Sequence, residues 1–460
     1  MKPIILSPAI YAIVEAIARQ GGRALLVGGA VRDHLLDLPV KDIDIEVHGL
    51  TVHQLEEVLG AFGYVSTVGK SFGVLRVADI PVDWSLPRAD SAGRKPAVAI
   101  DPFMSLVDAF RRRDITINAM GIDLVTHELI DPFGGQADLK AGRLRATDPR
   151  TFAEDPLRFF RVMQFIGRFQ MTPDEELNRV CAGMDITTVS RERIEQEFIK
   201  LFTYAARPSL GIAWLHQIGR LPAVLPELAD TIGIVQDVRW HPEGDVFAHT
   251  LQTIDAAAGL TLDDHQLRII LVWAALCHDL GKVSTTVCAD SKITSYGHEE
   301  VGARLARALM RRITHNQELI TTVCLLVRHH MSPVQFVAGG AKAPAYKRLA
   351  RKLAPHTTLC VLALLSLADQ RGRNPVGLLP LDTTVPEITE FMRIAQRLNV
   401  QDRPEEPVLQ GRDLLDIVAP GPELGRLVQQ AYEIQIEKGI MDKDELRRRV
   451  LSSRSTDTAY

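Results

Sequence analysis

The stretch Leu26–Val47, LVGGAVRDHLLDLPVKDIDIEV, limits what this chain can fold into more than any other. A glycine pair, Gly28 and Gly29, lets a backbone turn approach phosphate oxygens closely and offers unobstructed N–H groups. Arg32 follows where a helix would begin, near the end that favours anions. Ile43, Ile45 and Val47 alternate with Asp42, Asp44 and Glu46, the period of a strand with one polar face. Two aspartates on that face lie roughly 6–7 Å apart, close enough to share divalent cations. A lone D-x-D also suits a solvated edge strand. The glycine turn just upstream is what points instead to a nucleoside triphosphate and metal.

Composition sets the frame. A chain of 460 residues has room for two to four domains. Its 46% hydrophobic and 24% charged residues are ordinary for a globular protein. The net charge of −4 means that any polyanion must be met by a local patch. Five scattered cysteines without a C-x-x-C fit a reducing compartment and exclude a disulfide framework or zinc finger. The N-terminus is a poor signal peptide, and the longest apolar runs are about half a membrane span. A cytoplasmic protein with no membrane association and no evident stable protein partner is expected.

Residues 1–145 alternate helix and strand. Ser7–Arg19 has helical spacing, and Thr51 with Gln54 signals a capping box for a helix to about Gly60. Ala24–Val27, Tyr64–Val68, Val74–Val77 and Val82–Leu86 read as strands, and Gly121–Leu124 with Leu129–Asp131 as a hairpin. Asp83 is a possible third carboxylate or a surface aspartate. Arg88–Pro102 reads as a mobile loop. Arg111, Arg112 and Arg113 gather positive charge ahead of Asp114 and Asn118, either as a solvated face or as a phosphate contact.

Beyond about residue 145 the pattern is helical. Asp155, Arg158 and Arg161 share one helix face. They could form a structural ion pair, or present acceptors and donors to the Watson–Crick edge of a base. The helix from Ser190 reads as support. Further on, His249, His278-Asp279, His298, His329-His330 and Asp369 fall on successive helices, with Leu280-Gly281-Lys282 as a glycine helix stop. Histidine and aspartate suit divalent metals, although a lone buried histidine is usually only hydrogen-bonded. Asn374–Pro386 reads as a linker. Tyr346–Arg348, Arg351-Lys352 and Arg447–Arg449 are basic clusters that contact RNA phosphate or solvent, and the last six residues read as disordered.

In order, GGAVRD…DIDIEV, RRRDITINAM, EDPLRFFRVMQFIGRF and SRERIEQE resemble the class II tRNA nucleotidyltransferases and bacterial poly(A) polymerases, over about residues 20–230. Ile115 departs from the phenylalanine usual there. The resemblance implies an α+β chain. It comprises a polymerase-β-like head with a five-stranded sheet (1–145), an all-α neck and body (146–230), a third domain (231–375) and a helical tail (376–460). It implies Mg2+ on Asp42 and Asp44, triphosphate at Gly28, Gly29 and Arg32, and sugar and phosphate at Arg112, Arg113, Asp114 and Asn118. The incoming base falls to Asp155 and Arg158, with Arg161 beside them. The H…HD…D order and CHDLGK resemble the HD phosphohydrolases. That likeness implies His249, His278, Asp279 and Asp369 around one transition metal or Mg2+, with His298, His329 and His330 binding phosphate or lying behind the ligands.

The expected reaction is addition of C and A to the tRNA 3′ end from CTP and ATP, with a possible HD phosphohydrolase activity. Poly(A) polymerase, or a relative adding only CC or only A, shares the head motifs. An HD nucleotide hydrolase with a regulatory head is the rival of another kind.

Overall fold

A computed structural model describes residues 4–40, 42–68, 74–90, 98–260, 263–289, 292–375 and 379–457. The chain divides into two compact units, Met1–Arg220 and Leu221–Tyr460.

In the first unit, short β-branched segments become strands β1 (Arg23–Val27), β2 (Ile43–His48), β3 (Val65–Val68), β4 (Val74–Val77) and β5 (Val82–Ser85). A two-stranded ribbon, β6 (Arg88–Asp90) and β7 (Val98–Ile100), precedes the hairpin of β8 (Gly121–Asp123) and β9 (Leu129–Ile130). Seven of these form one sheet, in the order β3-β4-β5-β2-β1-β8-β9. That is two strands more than the resemblance implied, because every β-branched segment read from the sequence joins the same sheet. Arg88–Pro102 is also not a loop throughout: β6 and β7 pair antiparallel at its two ends, and residues 91–97 lie outside the described residues.

The middle strand is β2, antiparallel to β1 and parallel to β5. Ile45 and Val47 anchor it in a core with Leu26, Trp84 and the inner face of helix Pro8–Arg19. Burying each such side chain contributes about 1.5–3 kcal/mol. The adjoining helix Val52–Gly60 carries the capping box read from the sequence, with Thr51 and Gln54 bonded reciprocally. After the sheet, helices Leu157–Phe169, Arg191–Tyr204 and Pro208–Gln217 pack together.

In the second unit the helix His265–Cys277 packs against Val246–Leu260, His298–Ile313, Gln317–His329 and Leu359–Arg371. This places one buried helix at the centre of four, which is why its sequence is apolar all round. Helix Pro386–Arg397 packs on Ser332–Ala338 and Leu359–Arg371. Most of the basic cluster near Tyr346 is engaged by carboxylates, while Lys352 is exposed. Tyr346 is buried, Lys347 pairs with Glu405 at 2.8 Å, and Arg348 and Arg351 pair with Glu433 at 3.1 and 2.9 Å. The helix Lys443–Asp457 reaches into the last six residues, against the expected disorder; residues 458–460 lie outside those described. Among the described residues, no helix is long and apolar enough to cross a membrane.

Candidate functional sites

In the first unit, Asp42 immediately precedes β2 and Asp44 lies within it, and both are exposed. The parallel register sets Asp83 opposite Asp44, so three carboxylates lie near one strand end. Asp83 is held by Arg76 in a two-bond ion pair. Although its side chain reaches solvent, Asp44 is partly desolvated by its neighbours, which raises its carboxyl above the ordinary range; Arg113 lowers it, and the charges of Asp83 and Asp42 raise it again. Crowded carboxylates of this kind fit divalent cations.

Gly28 turns the chain from β1 into helix Gly29–Leu35 at φ 72° and ψ −134°, a conformation costly for other residues. A Cβ at Gly28 would stand 3.0 Å from Arg113 Nη1, so the missing side chain also admits that guanidinium.

The alternation along β2 breaks at Glu46, which is fully buried rather than solvated. Its carboxylate accepts from Arg112 Nη2 at 2.9 Å and Arg113 Nη2 at 3.3 Å, and faces His48 Nε2 at 3.2 Å. Burial opposes ionisation, but the His48 hydrogen bond and the Arg113 and Arg112 charges outweigh it and hold the carboxyl at about 2. Two of the three consecutive arginines are therefore fixed from behind by one carboxylate. Arg111 pairs with Asp108 on its own helix instead. Sequence reasoning missed Glu46; its signal was the third acidic position of the same strand.

Arg32 and Asn118 are bonded to each other. Arg32 is buried, donating from Nε and Nη2 to Asp33 Oδ1 at 2.9 and 2.7 Å and from Nη1 to Asn118 Oδ1 at 2.6 Å. Asn118, in a short 3-10 turn, donates to Asp114 Oδ1 at 3.0 Å, and Arg161 Nε donates to Asp114 Oδ2 at 2.7 Å. These four side chains form one row of bonds between the glycine turn and helix Leu157–Phe169. Arg158, on that helix, donates to the carbonyl oxygens of Thr151 at 2.8 Å and Arg112 at 2.6 Å. Asp155, just before it, pairs with Arg193 at 3.1 Å, so the helix from Ser190 supplies a partner as well as support.

The second unit gathers histidines and aspartates from five helices. His249 Nε2 lies 3.0 Å from Asp369 Oδ1 and 3.2 Å from His278 Nε2. His278 Nε2 lies 3.2 Å from Asp279 Oδ2, and all four residues are buried. His278 Nδ1 donates to Ala275 O at 2.7 Å, which turns Nε2 inward. Burial disfavours both aspartate charges, yet His278 and Lys282 around Asp279, and Arg373 and His249 around Asp369, hold both well below the usual range. Asp279 Oδ2 is paired with Lys282 Nζ at 2.7 Å, and Oδ1 accepts no hydrogen bond among the described residues. A buried, ionised carboxylate with one oxygen left open beside imidazole nitrogens fits a divalent metal.

Glu243, not foreseen, lies 2.7 Å from His249 Nδ1 and 2.9 Å from His241 Nδ1. A carboxylate at Nδ1 fixes the His249 ring with Nε2 turned toward Asp369. His298 and His330 lie against Asp279, whereas the adjacent His329 belongs to none of the ligand clusters found among the described residues. A cavity of about 510 Å3 opens on Asp279, His298, His330 and Asp369, with Lys282 and Arg373 in its wall.

Gly281 is not the helix stop that its place after the helix suggested. Its φ of −68° is open to any residue, and space is what it supplies. A Cβ there would stand 2.0 Å from the His298 carbonyl oxygen and 2.7 Å from Gly302 N. Gly281→Ala is expected to push helix His298–Ile313 away and to destabilise the second unit by about 1–3 kcal/mol. Denaturant unfolding of the full chain reads that as a lower midpoint.

Comparisons with known proteins cover both units. The poly A polymerase head domain family matches residues 24–145, and the HD domain family matches residues 246–369. The chain is 33% identical over 423 residues to a protein of Stenotrophomonas maltophilia (strain K279a) named multifunctional CCA protein, across 88% of this chain and 97% of that one. A protein of the same name from Neisseria meningitidis serogroup C is 37% identical over 312 residues, 65% of this chain and 71% of its own. Among solved structures, the Bacillus stearothermophilus CCA-adding enzyme in complex with CTP aligns over 98% of this chain and 99% of its own, at 18% identity and a TM-score of 0.67. The Thermotoga maritima CCA-adding enzyme complexed with tRNA aligns over 97% and 96%, at 17% and 0.58. At such identities the structural likeness speaks to fold alone.

Proposed function

This chain belongs to the family of multifunctional CCA proteins, and we infer that it adds C and A, from CTP and ATP, to the 3′ end of tRNA without a template. The observation that carries the reading is the combination of Asp42 and Asp44, at the start of β2, with the Gly28 turn and two arginines clamped by Glu46. Magnesium on the two aspartates would stabilise the charge that develops on the transferred phosphoryl group and departing pyrophosphate.

We assign triphosphate binding to Gly28, Gly29, Arg112 and Arg113. Arg32, Asp114, Asn118 and Arg161 hold the sugar and phosphate side of the nucleotide through the row of bonds that joins them. Asp155 and Arg158 read the base, which would take the place of Arg193 on Asp155 and of the Thr151 carbonyl on Arg158. The site works in the cytoplasm, beside its tRNA and nucleotide pools.

Purified protein given tRNAs that end before CCA, after C and after CC, each with one labelled nucleotide, tests this. C should enter the first two and A the third, after which addition stops. Long A tails on every end would establish a poly(A) polymerase instead.

The second site supports a further activity, metal-dependent hydrolysis of a phosphate ester. His249, His278, Asp279 and Asp369 would hold a divalent ion, whose bound water supplies the nucleophile. Lys282 and Arg373 place positive charge in the cavity wall, where a phosphate would lie. Imidazole donors favour a transition metal over Mg2+. His278→Ala should abolish hydrolysis of a phosphomonoester and leave CCA addition intact; unchanged hydrolysis would remove this assignment.

A further inference from the structure

We propose that Phe165 and Phe169 are positioning residues for nucleotide addition, whose ring faces hold the Arg32 guanidinium against the glycine turn. The inference rests on the assignment of Arg32 to the phosphate side of the nucleotide and names two residues that this assignment does not use.

The Arg32 guanidinium folds back on its own turn. A Cβ at Gly29 would stand 3.3 Å from Arg32 Nη2, 3.7 Å from Nη1 and 3.8 Å from Cζ. Hydrogen bonds tie its nitrogens to Asp33 and Asn118, and its charge lies over two rings. Cζ is 4.5 Å from the centroid of Phe169 and 5.7 Å from that of Phe165. At both distances a cation is drawn to the negative face of a ring. The two rings stack on each other, with centroids 5.9 Å apart and planes at 29°.

The sequence places these rings. Arg161, Phe165 and Phe169 follow at four-residue spacing with Arg168 beside the last, so helix Leu157–Phe169 presents all four on one side. Arg161 Cζ lies 5.2 Å from the Phe165 centroid. Arg168 Cζ lies 4.8 Å from the centroid of Phe169 and 5.3 Å from that of Tyr204. Guanidinium groups and rings therefore alternate through Arg161, Phe165, Arg32, Phe169, Arg168 and Tyr204. Arg32 and Arg161 are also joined through Asn118 and Asp114. The glycine turn is thus tied twice to the helix that begins at the base-reading pair, once by hydrogen bonds and once by rings.

Rings suit this place for a reason that carboxylates do not share. A further carboxylate beside Arg32 would cancel the positive charge that a phosphate has to meet. A ring face steadies the cation and leaves its field in place. Asp33, which accepts from Arg32 at 2.9 and 2.7 Å, also lies 3.8 Å from Arg168, so one negative charge is divided between two guanidinium groups.

The test changes Phe169, which is partly buried, rather than Phe165 in the core. The full chain carries Phe169→Leu, Phe169→Tyr or pentafluorophenylalanine at position 169. Steady-state addition of C to a tRNA lacking CCA is measured together with the denaturant midpoint. Leucine fills much of the space without a ring, and the fluorinated ring keeps its shape but loses the negative face. Both should raise KM for CTP about fivefold with kcat within about twofold, as expected for one lost cation–ring contact. Tyrosine, which keeps the face, should restore the parent's KM. The parent's KM in the fluorinated variant, or losses confined to kcat and midpoint, would make the rings packing residues only and overturn the proposal. Arg32→Lys in the same assay separates this from the underlying assignment. A raised KM there keeps Arg32 on the nucleotide whatever the rings do, and an unchanged KM overturns both. The fluorinated variant decides the matter even where Phe169→Leu fails to fold.

Discussion

Replacing either Asp42 or Asp44 with alanine is expected to cut nucleotide addition by at least about 10³-fold, because several kcal/mol of transition-state stabilisation depend on cations that these carboxylates hold. Stability should hardly move. Both side chains are exposed, and changes at such positions usually stay within about 0.5 kcal/mol. Losing one of three neighbouring carboxylates also relieves repulsion in the absence of metal, which is the direction in which Asp83 and Asp42 already push Asp44. The pair of readings to take is single-turnover addition of labelled CTP to a tRNA lacking CCA, and the denaturant midpoint. Activity near that of the parent would remove the two aspartates from the chemistry. A large fall in midpoint would make the loss structural rather than catalytic.

How far the sequence discloses these sites depends on what each physical signal encodes. Alternation along β2 says which residues share a side of the strand, and it placed Asp42 and Asp44 together. It is silent on what covers that side, so Glu46 reads as solvated although Arg112 and Arg113, more than sixty residues away, close over it. For Asn118 and Arg32 the residue types suit a ligand, and the bond that joins them across 86 residues is likewise not carried by local sequence. Gly281 was read from its place after a helix, where backbone conformation is the usual reason for glycine. The actual reason is a second helix pressed against it, which local sequence does not carry. Order along the chain was more informative for the second unit. His249, His278, Asp279 and Asp369 do converge, but which of His298, His329 and His330 joins them is set by helix ends. Adjacent residues such as His329 and His330 face differently there.

Glu46→Ala should be the most damaging single change in the first unit. It removes the carboxylate that two partly buried guanidinium groups share, and breaking a buried ion pair from one side costs about 3–5 kcal/mol. The depressed carboxyl of Glu46 sets the direction of the pH dependence. Its folded value of about 2 lies below the ordinary 4.5, so the ionised form contributes stability that is complete above pH 4.5 and is lost as pH falls toward 2. The parent should therefore lose stability steeply across that window. Glu46→Gln, which keeps the shape without the charge, should be less stable at neutral pH and flatter through it. Denaturant unfolding at several pH values from 7 down to the acid limit checks both expectations. The same variant should raise KM for CTP and ATP more than it lowers kcat, since Arg112 and Arg113 are loosened while Asp42 and Asp44 stay in place. A Glu46→Gln protein with the parent's pH profile and KM would mean that the arginines hold their positions without it.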